Sequence, residues 1–202
     1  IKEDDITVHD SGGKLFALNH LNLIFGMLAI FFYVGSEVTI GTNLVSFLSD
    51  PLTVNLQESV AGKLLAFYWG GAMIGRFLGS VALSDSKAVK KLVLMVLISI
   101  ALTAFLVYSI GNVELKLVYY VAFQALAIIL LLACKSSARM NLVLFSLVNI
   151  ANLIVAMMMA NTMFAAWAIL SIGIFNSVMW PNIFDLGIAN LGKYKEQGLS
   201  LL

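Results

Sequence analysis

Charged residues are scarce in this chain: only 11% of its 202 residues are Asp, Glu, Lys or Arg, whereas 61% are hydrophobic. A soluble domain is nearer a quarter charged and half apolar, because its charges keep the outer surface hydrated. The mean hydropathy of +0.98 therefore indicates that lipid is the main solvent. This excludes a soluble enzyme, a nucleic-acid-binding domain and a disordered tail, and the net charge of +1 indicates no nucleic-acid partner.

Cysteine and histidine are also scarce, which limits the chemistry that the chain can support. The single cysteine, Cys134, lies in an apolar run and cannot form a disulfide within the chain. His9 and His20 have no carboxylate or second histidine at ligand spacing. HExxH, GxSxG and Walker motifs and paired carboxylates are missing as well. The sequence therefore predicts no metal site, no cofactor and no enzyme activity.

Six stretches of the sequence are apolar and long enough, or nearly so, to cross a bilayer as helices. A helix needs about 20 mostly apolar residues to span the ~30 Å hydrocarbon core. The apolar residues run continuously instead of alternating, which favours helices over barrel strands. The stretches are residues 16–48, 61–83, 91–110, 117–134, 141–160 and 163–189. The sequence therefore predicts an all-α, polytopic transmembrane helix bundle over residues 16–202.

The first stretch is too long for one straight span. It contains Gly35-Ser36-Glu37 and Gly41-Thr42-Asn43, and glycines beside polar residues are frequent where a transmembrane helix bends or opens. We expect this helix to be bent or partly unwound near these glycines.

The basic residues predict the orientation of the bundle, since Lys and Arg accumulate in short cytoplasmic loops. With the N-terminal segment inside, the cytoplasmic group is Lys2, Lys14, Lys87, Lys90, Lys91, Lys135, Arg139, Lys193 and Lys195. The outer group is then only Lys63 and Lys116. The opposite orientation would invert this bias, so the chain is predicted to start in the cytoplasm.

Both ends of the chain are expected to be cut from a longer protein. The chain starts at Ile1 with a charged segment that lacks the positive-then-apolar order of a signal peptide. Residues 198–202 read like the first turn of another apolar segment. We therefore expect a fragment of a longer membrane protein.

Glu37 is a carboxylic acid deep inside the first stretch. It lies about 11 residues before the outer end, or ~16 Å deep at 1.5 Å per residue, which is close to the bilayer midplane. A carboxylate there is costly unless it is protonated, paired or facing a watery cavity. Glu37 is therefore either a proton carrier or sugar-hydroxyl acceptor, or a neutral, hydrogen-bonded packing group.

Three glycines in the second stretch, Gly71, Gly75 and Gly79, recur every fourth residue and so share one helix face. Glycines at this spacing let another backbone approach closely, which replaces the hydrophobic drive that lipid cannot supply. They predict a helix-contact face, and direct ligand contact is the alternative.

Arg76 lies within the same stretch, too deep for an ordinary loop charge. Its side chain either snorkels to the cytoplasmic surface or pairs with an acid as a gate. Asp85 and Asp185 are the acids expected in its neighbourhood.

The last stretch contains Pro181, which should kink the helix because the Ser177 carbonyl loses its helical partner. Asn176 and Trp180 are four residues apart, so they are predicted to project from one face before the kink. An amide beside an indole suits a sugar, since the amide binds hydroxyls and the ring covers the apolar C–H face. In the alternative interpretation Asn176 bonds a neighbouring helix and Trp180 packs. Asn182 points away from the pair and is predicted to be structural.

Other polar and aromatic residues inside the stretches carry weaker signals. Tyr68 and Trp69 are candidates to line a cavity, although packing explains them equally well. Four asparagines are candidates for hydrogen bonds between helices; they are Asn141, Asn149, Asn152 and Asn161.

These motifs resemble the C-terminal half of the fucose–galactose–glucose:proton symporter branch of the major facilitator superfamily. The resemblance rests on residues 33–41, 68–80 and 175–184, followed by Leu191-Gly192 ahead of Gln197-Gly198. Their order matches the seventh, eighth and tenth helices of that family.

The resemblance implies a sugar carrier that works by alternating access, with two six-helix halves rocking about a midplane site. Residues 1–15 would be the cytoplasmic linker between the halves, and the N-terminal half would be a missing partner in the bacterial inner membrane. Glu37 and Asn43, with Asn176 and Trp180, are similar in position to cavity-facing residues of the family. Arg76 resembles the basic residue of the family's Gly-Arg motif, in keeping with a gate. The fragment alone is not expected to transport.

One departure from the family pattern concerns residues 91–160. The family expects one span between its eighth and tenth helices, whereas this sequence offers three. We interpret the difference as an inserted helical hairpin.

Three functions follow from these observations. The first is a secondary active transporter that takes up a hexose-type monosaccharide, such as fucose, glucose or galactose, with protons as the suspected coupling ion. The second is a membrane-embedded, lipid-modifying enzyme, which would need a nucleophile, metal cluster or acid–base pair. The third is a non-transporting helix-bundle scaffold, expected if Glu37, Asn176 and Trp180 share no cavity.

Overall fold

The computed structural model describes residues 16–111, 117–134 and 137–202, and these residues form an all-α, polytopic helix bundle. The predicted linker over residues 1–15 lies outside the described residues. Seven α-helices and two short 3₁₀ helices follow one another in this part of the chain. The α-helices are α1 (Leu21–Ser49), α2 (Glu58–Leu83), α3 (Ala88–Ile110), α4 (Leu117–Ala133), α5 (Ala138–Met158), α6 (Met163–Gly187) and α7 (Lys195–Leu201). The 3₁₀ helices are Phe16–Asn19 and Gly192–Tyr194.

Five of these helices, α1, α2, α3, α5 and α6, are long and apolar enough to cross a membrane. Helix α4 is also apolar but has only 17 residues. Helices α3, α4 and α5 occupy the interval in which the sequence predicts three spans instead of one.

Helix α1 stays α-helical throughout, so it is not unwound near Gly35 and Gly41, and of the two expected forms only the bend stays a prediction. The hydroxyl groups of Ser36 and Thr42 in this region are satisfied inside the helix and need no open backbone. Ser36 donates a hydrogen bond to the Tyr33 carbonyl and Thr42 donates one to the Val38 carbonyl, each at 2.8 Å. The predicted stretch is longer than one span partly because its first residues, Phe16–Asn19, form a separate 3₁₀ helix before α1.

Helix α6 is the centre of the bundle. It packs against α1, α2, α4 and α5, and all its residues from Ala165 to Val178 are buried. A helix that is apolar on every side needs neighbours on every side, which explains this position. The helix continues through Pro181 to Gly187.

Helices α2 and α6 cross at glycine contacts. Two of the three glycines that the spacing assigns to a contact face, Gly71 and Gly75, lie at this crossing. A β-carbon on Gly75 would overlap the carbonyl oxygen of Ile174, and one on Gly173 would overlap that of Tyr68. A β-carbon on Gly71 would lie 3.0 Å from the Ile174 side chain. Gly79 has no atom within 4 Å of its β-carbon position, so no close approach of the kind seen at Gly75 occurs there.

Helices α5 and α6 are joined by hydrogen bonds between buried polar side chains. Asn149 donates to Asn176 at 3.4 Å, and Asn152 donates to Ser171 at 3.2 Å. Asn141 donates to Asn182 at 3.4 Å, which confirms a structural role for Asn182. Lipid offers no competing hydrogen bonds, so these contacts fix the register of the two helices.

Candidate functional site

Four of the predicted site residues line one cavity between α1, α2 and α6; they are Glu37, Arg76, Trp180 and Pro181. The cavity is partly open and has a volume of about 440 Å³. Each helix contributes three lining residues. They are Tyr33, Val34 and Glu37 from α1, Arg76, Ser80 and Leu83 from α2, and Ser177, Trp180 and Pro181 from α6. We call this space the Glu37 cavity.

Glu37 is held at the cavity by the buried face of α1. Tyr33, Glu37 and Gly41 recur every fourth residue and are all buried, so they turn the same side of the helix toward α2 and α6. Only 8% of Glu37 is exposed. Its Oε1 atom is buried and has no hydrogen-bond partner among the described residues. A buried polar oxygen without a partner is costly, so this atom is a strong candidate to accept a hydrogen bond from a ligand.

Tyr33 is a lining residue that the sequence did not lead us to predict. Its hydroxyl is also buried without a hydrogen-bond partner among the described residues. It lies within electrostatic range of both Glu37 and Arg76. The signal was present in the sequence, because Tyr33 lies four residues before Glu37 and therefore on the same helix face.

Arg76 shares the Glu37 cavity, whereas the acid predicted to gate with it does not. Asp185 is exposed and lines a neighbouring cavity near the C-terminal end of α6. Arg76 itself is exposed and lies about two turns before the end of α2 at Leu83. The acid that lines the same cavity as Arg76 is Glu37.

Trp180 brings an aromatic surface to the cavity. Its ring stacks on Phe184 with centroids 5.4 Å apart, and 43% of the residue stays exposed. Pro181 lines the cavity beside it. The indole therefore offers apolar area next to the polar atoms of Tyr33 and Glu37.

Asn176 does not reach the cavity, although it lies only four residues from Trp180. It is 4% exposed, and its amide oxygen accepts the hydrogen bond from Asn149 of α5. Four residues advance an α-helix by about 400°, so the two side chains are offset by about 40° and one turn. On α6, Asn176 therefore lies at the α5 interface, whereas Trp180 lines the cavity.

Three further predicted residues lie away from the lining. Tyr68 is fully buried, and its hydroxyl donates to the Glu37 carbonyl at 3.0 Å. Trp69 packs over Gly41, whose β-carbon would lie 2.8 Å from the indole. Asn43 is exposed on α1, and its amide donates to the Thr39 carbonyl at 2.8 Å.

The chemistry of the cavity lining suits the binding of a neutral polyol. Among the described residues, no group of three His, Cys, Asp or Glu side chains is placed to hold a metal ion. The cavity combines one acid, one guanidinium, hydroxyls and an indole. This set can donate and accept hydrogen bonds around a ring while covering its apolar face.

Curated proteins that are similar to this chain are sugar transporters. The glucose/galactose transporters of two Brucella abortus strains, 9-941 and 2308, are each 31% identical over 206 residues, which cover 100% of this chain and 36% of the relative. A protein of Helicobacter pylori strain 26695 named "Putative glucose/galactose transporter" is 33% identical over 174 residues, which cover 86% of this chain and 30% of the relative. No family model matches the chain, and no solved structure matches it significantly.

The chain spans about a third of the length of these curated relatives. They are named as transporters and not as enzymes, which supports the prediction that the chain is not an enzyme. Together with the five apolar helices, the matches show an integral membrane protein. The chain is therefore related along its whole length to sugar transporters, and the resemblance to the fucose–galactose–glucose branch of the major facilitator superfamily is confirmed.

Proposed function

We propose that the whole protein is a secondary active transporter that takes up a hexose-type monosaccharide with protons by alternating access. The Glu37 cavity would be the part of its sugar site that this chain supplies. The observation that carries the proposal is that Glu37, Arg76 and Trp180 come from three different helices and line one cavity. A scaffold that only holds helices together does not need side chains from three helices to line one cavity.

The size and chemistry of the cavity support a monosaccharide. Its volume of about 440 Å³ lies within the range of about 300–1,000 Å³ that small-molecule sites have. Tyr33 and Glu37 carry buried oxygen atoms that have no hydrogen-bond partner among the described residues, and a sugar carries hydroxyls that can donate to them. The relatives are named for glucose and galactose, two hexoses that fit this description.

Proton coupling is supported by the position of Glu37 within a membrane-spanning helix. A carboxyl group in this setting changes its charge on protonation, and the charged form is far more costly in lipid than the neutral form. Protonation and sugar binding can therefore favour the same conformation, and linkage then makes each ligand strengthen the binding of the other.

Alternating access needs a second structural unit. The relatives are about three times as long as this chain, so the rest of the protein can supply the opposite wall. The basic residues near the starts of α3 and α5 and after α6 support a cytoplasmic position for the N-terminal side of the chain. We accordingly place the protein in a bacterial inner membrane and interpret two of the three helices α3 to α5 as an insertion relative to the family pattern.

Trp180→Ala in the full-length protein is expected to raise the KM for uptake of labelled glucose or galactose by about tenfold. The reason is that the variant removes the aromatic surface for the apolar face of the sugar. Trp180→Phe should retain much of the affinity because it keeps an aromatic ring. Tyr108→Ala removes an aromatic residue that is 87% exposed on α3 and away from the Glu37 cavity, and serves as the control. The same KM in wild type and Trp180→Ala would reject the assignment of the sugar site.

A further inference from the structure

Tyr68 holds α1 against α2 at the turn that carries Glu37. Its hydroxyl donates to the Glu37 backbone carbonyl at 3.0 Å, and the side chain is fully buried. That carbonyl also belongs to the α-helix, so the hydroxyl adds a second bond to the same oxygen atom. One turn later, Trp69 covers the backbone at Gly41. Tyr68 and Trp69, which are adjacent in α2, therefore contact two adjacent turns of α1.

Tyr120 makes the same kind of contact one helix further from the cavity. This residue of α4 is fully buried, and its hydroxyl donates to the Phe67 carbonyl of α2 at 3.0 Å. Its ring packs edge-on against Phe67 at 5.2 Å and tilted against Trp167 of α6 at 5.5 Å. Its oxygen lies 3.0 Å from the β-carbon position of Gly71, at the crossing of α2 and α6. Helices α2, α4 and α6 therefore meet at one aromatic cluster.

The two contacts act on consecutive residues of α2, since Phe67 directly precedes Tyr68. Tyr120 fixes the turn of α2 from which Tyr68 reaches Glu37. We propose that Tyr68 and Tyr120 are positioning residues that set the height and rotation of Glu37 in its cavity. Helix α4 would then contribute to the sugar site without touching it, which gives a role to the interval that departs from the family pattern. This inference rests on the proposed function, because it concerns the same site.

A positioning role is distinguishable from a purely structural one. If the hydroxyls only held helices together, their loss would lower stability and leave the KM for sugar unchanged. If they position Glu37, their loss displaces its carboxyl group and weakens sugar binding in a protein that still folds. The aromatic rings, which provide the packing, are kept in Tyr→Phe variants.

The test is the uptake of labelled galactose by the full-length protein with Tyr68→Phe, Tyr120→Phe or both. We expect Tyr68→Phe to raise the KM about threefold to tenfold, the range to which the loss of one intramembrane hydrogen bond corresponds. Tyr120→Phe should raise it in the same direction but less, and the double variant should show less than the product of the two effects. The maximal rate and the amount of protein in the membrane should stay at wild-type values.

Tyr119→Phe is the matched control, since Tyr119 is the neighbouring residue of α4 and packs its ring on Phe164 at 5.2 Å. An unchanged KM in Tyr68→Phe or Tyr120→Phe, beside a wild type that transports galactose, would overturn the inference and leave the proposed function standing. A wild-type protein that takes up neither glucose nor galactose would overturn both.

Discussion

Gly75→Ala is expected to destabilise the bundle by about 2–3 kcal/mol, the upper part of the usual range for overpacking a core. The added β-carbon would overlap the carbonyl oxygen of Ile174 and the hydroxyl of Ser177. The first of these is a backbone atom, so no side-chain rotation relieves the clash and α2 must move away from α6. Thermal unfolding of the purified full-length protein in detergent measures the effect as a lower Tm.

Two other glycines complete the experiment on the helix crossing. Gly79→Ala changes the same helix one turn further on, where no atom lies within 4 Å of the β-carbon position, and should leave Tm nearly unchanged. Gly173→Ala places its β-carbon on the Tyr68 carbonyl from the opposite helix and should resemble Gly75→Ala. Equal stability of the Gly75→Ala and Gly79→Ala proteins would contradict the crossing geometry. Because Ser177 and Arg76 line the Glu37 cavity, the destabilised variants should also lose sugar uptake.

Glu37→Gln is expected to reduce proton-driven accumulation of sugar by about 5- to 150-fold, the range of coupling energies of about 1–3 kcal/mol. Glutamine keeps the size and the acceptor oxygen but cannot gain or lose a proton, so protonation can no longer favour one conformation. The measurement is the accumulation of labelled galactose in membrane vesicles with an imposed pH gradient.

Glu37→Asp and Glu58→Gln are the controls for the coupling experiment. Aspartate keeps a titratable group and should retain part of the accumulation. Glu58 lies exposed in the first turn of α2, outside the cavity lining, and its change to glutamine should have little effect. Full accumulation by the Glu37→Gln protein would show that another group carries the proton.

The positions of the helices are close to those of the apolar stretches, because long apolar runs reflect the thickness of the bilayer. Helices α2, α3 and α5 nevertheless begin three residues before those stretches. Their first turns contain polar or charged residues such as Glu58 and Arg139, and such residues are not recognised as part of an apolar stretch. At α5, the Ser137 side chain accepts a hydrogen bond from the Met140 backbone and caps the helix.

The composition of the site was only partly predictable from the sequence. Spacing placed Gly71 and Gly75 on a contact face and identified Glu37 as an unusual intramembrane acid, because both arguments depend on a single helix. The direction of Asn176 depends on how α6 is rotated between its neighbours. A four-residue spacing cannot show which of two adjacent neighbours each side chain meets.

The position of Tyr68 was not predictable from the sequence either, because it depends on a contact between two helices. Its aromatic ring and its depth in the span suggest a cavity residue, yet its hydroxyl reaches the Glu37 backbone and not the cavity. The height of α1 relative to α2 decides this contact, and that height follows from close packing at Gly41 and Trp69. The relative height of two helices is set by tertiary packing, and no periodic pattern in the sequence indicates it.

The most direct test of the account is whether sugar occupies the Glu37 cavity. Ser80 lines it and is exposed, so Ser80→Cys should react with a maleimide in a full-length protein from which the other cysteines, including buried Cys134, have been removed. Thr42→Cys lies exposed on α1 outside the lining and is the control. We predict that glucose or galactose at a concentration that saturates uptake slows labelling of Ser80→Cys and leaves Thr42→Cys unaffected. Equal labelling of Ser80→Cys with and without sugar, in a variant that still transports, would contradict the account.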